Sequence, residues 1–258
     1  MINSSSNKQI KNLSQLLKNA KTRRKQRVFV VEGRKMYQEV PEEQLLMTYV
    51  SESFYADPEH RKLLEGRQVE VVADRIFASV SDTVTPQGIL CVVKQKEYQL
   101  EEILKDQQTP LLLVLENLQD PGNLGTIFRT AEAAGVQGIL MSDDTVDIYN
   151  PKVIRSTMGS VYRVPFIYTA DLYETVQELK QRGICTYAAH LKAEKEYTEQ
   201  DYREASAFLI GNEGNGLSDK LTNVADEYIR ISMAGKVESL NAAVAAAVLM
   251  FEAKRQRS

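Results

Sequence analysis

Cysteine and histidine are scarce, with two of each in 258 residues. Cys91 and Cys185 lie far apart without a CxxC spacing, and with His60 and His190 they make no zinc-like pattern, so no metal is expected. Long hydrophobic runs are missing too. Residues 1–20 contain no apolar stretch of the kind a signal peptide needs. The longest clean apolar run, residues 242–251, is about half the ~20 residues that cross a bilayer. A reduced, metal-free, cytoplasmic protein that stays off the membrane is therefore the expectation. Charge of one sign is also absent overall: 32 Lys+Arg against 35 Asp+Glu leave a net charge of −3. Taken whole, that balance argues against a nucleic-acid protein working by charge. With 43 % hydrophobic and 26 % charged residues the composition is that of a globular protein, and the length suits two domains or one large one.

What is there is unevenly placed. Residues 1–40 hold ten basic side chains and two acidic ones, a local charge of +8, which leaves −11 on the rest. The density peaks in AKTRRKQR at 20–27. A basic arm on an acidic body reads as a phosphate-contacting surface, with Arg23, Arg24, Lys25, Arg27 and Arg34 as the candidate contacts. A solvated helix face with a basic loop is the plain alternative.

Apolar spacing predicts an amphipathic helix over 9–20, with Ile10, Leu13, Leu16 and Leu17 on one face. Strands follow at 28–31, 45–50, 69–72 and 89–93, with helical segments near 58–64 and 74–80, which together describe a small α/β domain. Residues 98–109 are polar and read as a part-helical linker between a domain at 1–97 and another at 110–258. From 111 onward the pattern is strand and helix in alternation, with strands at 111–115, 138–141, 164–167, 184–188, 207–210 and 228–231. Helices are expected near 124–134, 172–180, 217–223 and 240–254. That alternation implies a mostly parallel sheet covered on both faces.

Ligands in such sheets bind beyond the carboxyl ends of the strands, and three turns there are unusual. The first runs from Glu116 through Pro121, Gly122 and Asn123 into a helix carrying Arg129 in its second turn. If Asn123 caps that helix, Arg129 is close to an N-terminus, where anions are favoured. The second, Gly211-Asn-Glu213-Gly214-Asn-Gly216, is glycine-rich but fits neither GxxxxGK[ST] nor GxGxxG, so a phosphate loop for nucleotides is not indicated. The third runs from Ile231 through Met233 and Gly235 to Ser239, Leu240 and Asn241, ahead of an alanine-rich helix. Each also has a plainer reading: a capped helix with a surface arginine, a glycine turn, and a buried helix.

In order and character these segments resemble the three motifs of the SpoU (TrmH-like) class of RNA ribose methyltransferases in the SPOUT superfamily. The matching patterns are NxGxxxRTA at 123–131, apolar-GxEGxG at 210–216, and I-x-M-x-G-x(3)-S-L-N at 231–241. The N-terminal part looks like the small ribosomal-protein-like substrate-binding domain of many members. The resemblance implies an α/β domain with a mostly parallel sheet and a deep C-terminal trefoil knot. It also implies a homodimer with its site near the subunit interface, and S-adenosyl-L-methionine as cofactor. By position Gly211, Gly216, Ile231 and Leu240 would contact the cofactor, and Leu209, Ile210 and Met233 would line its pocket.

The implied activity is methyl transfer to a ribose 2′-hydroxyl, with ribosomal RNA ahead of transfer RNA as substrate. Arg129 resembles the catalytic arginine, and Asn123, Glu213, Ser239 and Asn241 would orient it and the ribose. Because arginine stays protonated, an electrostatic role suits it better than that of a simple base. The sequence leaves open whether Glu213 pairs with a cation or anchors its loop. Where the third motif often has proline, this chain has Ser232, which predicts a slightly freer loop. A non-catalytic RNA-binding or ribosome-assembly protein on the same scaffold is the competing reading.

Overall fold

The computed structural model describes residues 1–191 and 193–258. Its contacts divide the chain into two compact units, Met1–Lys96 with Asp147–Tyr162, and Glu97–Val146 with Arg163–Ser258.

The first unit is built on a four-stranded sheet of β1 (Val28–Glu32), β2 (Leu45–Ser51), β3 (Val69–Val72) and β4 (Ile89–Lys94), in the order β1-β4-β2-β3. The strand β4 runs antiparallel to both β1 and β2, while β2 and β3 are parallel. The Lys8–Lys18 helix starts where the Asn7 side chain accepts from the Gln9 amide, and it buries Ile10, Leu13, Leu16 and Leu17. These meet Val28, Val30, Phe77 and Leu90 in one core.

Residues 20–26, read from sequence as part of a basic arm, form a second helix, Ala20–Gln26, ended by Arg27 in the left-handed region at φ 55°. The Asp147–Tyr162 segment belongs to this unit although residues 110–258 read as one continuous domain. The Tyr149 ring lies 4.5 Å from that of Phe29, and Arg155 bonds Asp82 at 2.7 Å. Ile148, Val153, Ile154 and Val161 of this segment are buried as well, and nothing in its apolar residues says which sheet they pack on.

The second unit carries seven strands: β5 (Leu111–Leu115), β6 (Gly138–Ser142), β7 (Phe166–Thr169), β8 (Cys185–Ala189), β9 (Lys195–Glu196), β10 (Ser206–Ile210) and β11 (Glu227–Arg230). Their order is β7-β6-β5-β10-β8-β11-β9, and each of these pairings is parallel. Buried on both faces, the central strands carry apolar runs such as LLLVL in β5 and AFLI in β10. One face buries Leu112, Val114 and Leu209 against Val176, Leu179 and Leu221. The Pro121–Ala134 and Ala242–Gln256 helices pack on each other, and the latter also contacts β10. The segment expected as a linker holds the Leu100–Leu104 helix, whose Leu100 and Ile103 are buried in this same core. No described helix is long and apolar enough to cross a membrane.

Candidate active site

All three unusual turns lie in the second unit, and hydrogen bonds join them. The Pro121–Ala134 helix is capped by Asp120, whose carboxylate accepts from the Asn123 amide at 2.7 Å, with Pro121 in the first turn. Asn123 is thus the third helical residue and not the cap. Arg129 consequently falls in the third turn, beyond the reach of the N-terminal partial charges, which fade within one turn. The misplaced start has a plain cause: Asp, Pro and Asn are all good helix starters, and Asp120 with Pro121 comes first.

With its amide engaged by Asp120, the Asn123 side chain is free to bridge. Its Nδ2 donates to Glu213 at 2.9 Å, and its Oδ1 accepts from Asn241 Nδ2 at 2.9 Å. Asn241 in turn caps the Ala242–Gln256 helix through its own Oδ1, accepting from the Ala243 and Val244 amides at 2.9 and 3.3 Å. One residue from each motif therefore stands in a single chain, Glu213–Asn123–Asn241. Glu213 also accepts from the Gln119 and Asp120 amides at 3.3 Å each. Burial raises its pKa, but these donors, Asn123 foremost, outweigh burial and leave the carboxyl below its ordinary value. The Glu213 carboxylate is thus held by two loop amides and the Asn123 side chain.

The glycine loop closes on itself. Asn212 and Gly216 exchange amide-to-carbonyl bonds at 3.0 and 2.9 Å, and Asn212 Nδ2 donates to the Asn117 carbonyl at 2.7 Å. A Cβ on Gly211 would stand 2.1 Å from the Gly216 carbonyl carbon, so any side chain there would break the turn. Glycine at 211 thus serves the loop's own backbone. Gly216, at φ +70°, supplies the left-handed corner.

Above the loop is a cavity of about 400 Å³, large enough for a nucleoside-sized group. Ile210, Gly211, Glu213, Gly216, Ile231 and Met233 line it, as do Ser239 and Leu240. Apolar walls with backbone amides and carbonyls along the loop suit an adenosyl group with a short polar tail, so the residues present fit the expected cofactor. Leu209 does not line the cavity. In an extended strand neighbouring side chains face opposite ways, and Leu209 is turned into the core with Val114 and Ala188. Asn123, Arg129 and Asn241 also lie outside the lining. Among the lining residues that were not predicted, Ala189, His190 and Leu191, at the carboxyl end of β8, lie on a turn that the sequence reading did not single out. Their signal was available, since β8 neighbours β10 and ligands gather at carboxyl ends of parallel strands.

Arg129 is exposed on a helix whose Leu124, Ile127, Phe128 and Ala131 are buried. It has no hydrogen bond or ion pair among the described residues. Of the cations proposed for phosphate contact, Arg23 is removed: it is 3 % exposed and bonds the Leu16 and Leu17 carbonyls at 2.7 and 3.2 Å and Asp147 at 2.6 Å. It caps the end of the preceding helix and cannot reach phosphate. Arg24, Lys25, Arg27 and Arg34 are exposed, and Arg34 meets His60 Nε2 at 3.2 Å. Among the described residues no group of His, Cys, Asp and Glu could hold a metal ion.

The chain matches the SpoU rRNA methylase family over residues 110–251 and an MRM3-like substrate-binding domain over 7–91. It is also 34 % identical, over 97 % of both chains, to the 23S rRNA (guanosine(2553)-2′-O)-methyltransferase RlmP of Bacillus subtilis. The chain belongs to the SpoU rRNA methylase family. A second relative in this family, the 23S rRNA (guanosine-2′-O-)-methyltransferase RlmB of Bordetella pertussis, is 34 % identical over 74 % of this chain and 80 % of its own. Among solved structures, the AdoMet-bound rRNA methyltransferase of Sinorhizobium meliloti superposes with a TM-score of 0.87 at 28 % identity. It covers 98 % of this chain and 97 % of that one. The SpoU methyltransferase AviRb of Streptomyces viridochromogenes gives 0.86 at 26 % identity, over 97 % and 98 %. Membership makes this SpoU protein an RNA 2′-O-methyltransferase that uses S-adenosylmethionine.

Proposed function

We propose that this enzyme methylates the ribose 2′-hydroxyl of a guanosine in large-subunit ribosomal RNA, as a cytoplasmic homodimer. The named 23S rRNA relatives support that substrate. The observation carrying the assignment of roles is the Glu213–Asn123–Asn241 chain beside the cavity. Bound there, S-adenosylmethionine supplies a methyl group already activated on a sulfonium. What remains for the protein is alignment and a home for the charge that develops on the attacking oxygen.

The roles divide by what each side chain has left to give. Asn241 spends its oxygen on the helix amides and its Nδ2 on Asn123, while Asn123 spends both groups of its amide on Glu213 and Asn241. These three residues position the loops. Ser239, lining the cavity, orients the ribose, and backbone around Gly211, Ile231 and Leu240 holds the cofactor. Arg129 keeps its guanidinium for substrate: it binds a phosphate and stabilises the alkoxide character of the attacking oxygen, while the hydroxyl proton passes to solvent water. A knotted path through motifs two and three belongs to the same proposal, as does the dimer.

Incubation of the enzyme with methyl-labelled cofactor and 23S rRNA unmethylated at its targets tests this. Label is expected in one alkali-resistant 2′-O-methylguanosine. Label only in transfer RNA, or in a base, would contradict the assignment.

A further inference from the structure

A contact that involves none of the predicted site residues sits at the edge of the sheet. Parallel pairing of β9 with β11 sets Arg230 opposite Glu196. Glu196 Oε1 accepts from Arg230 Nε at 2.7 Å and from the Ser232 hydroxyl, while Oε2 accepts from the Ser232 amide at 3.3 Å. The Glu196 amide is itself held by the Glu199 carboxylate at 2.9 Å. On the neighbouring position Lys195 pairs with Glu227 at 2.7 Å, which fixes the register of the short strand. The donors, Ser232 first and Arg230 next, hold the Glu196 carboxyl below its ordinary pKa, so it is ionised at neutral pH.

Both segments joined by this carboxylate line the cavity. His190 and Leu191 lie on the stretch that leads from β8 to β9, and Arg230, Ile231 and Met233 lie on the one that leaves β11. Serine at 232 was expected to loosen the third loop; instead its amide and its hydroxyl are both engaged. We propose that Glu196 is a positioning residue for cofactor binding, tying the strap after β8 to the loop after β11 and so fixing the distance between two walls of the pocket. The inference rests on the assignment of that cavity to the cofactor. A wall held in place before binding costs no ordering on binding, so its loss should appear in affinity and not in the chemical step.

The test is calorimetric titration of the full chain with S-adenosylmethionine, for the wild type, E196A, S232A and the double variant. A partly exposed carboxylate with charge-assisted bonds is worth enough to raise the Kd about fivefold in E196A. Because Ser232 acts through Glu196, the double variant should bind no more weakly than E196A. The KM for cofactor should rise alike, with kcat at saturating cofactor unchanged, a split that general loosening of the fold would not give. An unchanged Kd in E196A, or effects of E196A and S232A that multiply, would overturn the inference alone. Failure of the wild type to bind would overturn the pocket assignment and the inference with it.

Discussion

Two arginines separate what a charge does from where it appears in sequence. Arg23 sits in the densest basic run of the chain, and it is buried against Asp147 and two helix carbonyls. Arg129 sits in a helix of mostly small and apolar residues, and it is exposed with no partner among the described residues. The crowded charge is structural and the isolated one is free to meet a phosphate. Charge density along a chain reports the cost of solvating a segment. The availability of a given cation depends on whether carboxylates and carbonyls reach it in the fold.

The largest effect that would break this contrast is at Arg129. R129A should lower kcat by about 10²–10³-fold, the usual cost of losing one preorganised group that stabilises developing charge, and leave the cofactor Kd within about twofold. Single-turnover kinetics and calorimetry would show it. R23A should do the reverse. It leaves Asp147 without its buried partner, which costs about 3 kcal/mol, and denaturant unfolding should report that loss while methyl transfer by the folded fraction persists.

A smaller effect concerns Glu213. Its folded-state pKa lies below its ordinary 4.5, so its contribution to stability is full above that value and is lost as pH falls through the depressed folded value. E213Q should therefore flatten the acid limb of the unfolding curve below about pH 4.5. An acid limb identical to the wild type would remove Glu213 as the loop anchor. Least of all is the change expected on the exposed arm. R24A and K25A should each cut the slope of log affinity for RNA against log salt by about 0.7, and R23A should leave it unaltered. A slope sensitive to Arg23 would erase the contrast.

The fold was legible where one side-chain period dominates. The apolar runs of β5, β6 and β10 and the i, i+3 spacing of Ile10, Leu13, Leu16 and Leu17 each specify one structure. Boundaries were harder: β7 begins at Phe166 and not at 164, because Pro165 has no amide hydrogen to give the ladder. The site was legible as three loops of unusual composition, and the glycine at 211 and the cap at Asn241 are local matters. What the residues did not disclose was partnership over long separations. Asn123 with Asn241, Glu196 with Ser232 and Arg23 with Asp147 span 118, 36 and 124 positions, and no spacing rule links them. Leu209 was misplaced by grouping it with its neighbour Ile210, although alternate strand residues face opposite sides.

R129K decides whether Arg129 acts as a fixed cation or as a base. Its single-turnover rate at saturating cofactor and RNA would be followed from neutral pH through the lysine range. A cation role predicts a rate intermediate between wild type and R129A that falls as the lysine loses its proton near a pKa of about 10.4. A rate that instead climbs through that pKa, as a lysine becoming a base would give, would contradict the account.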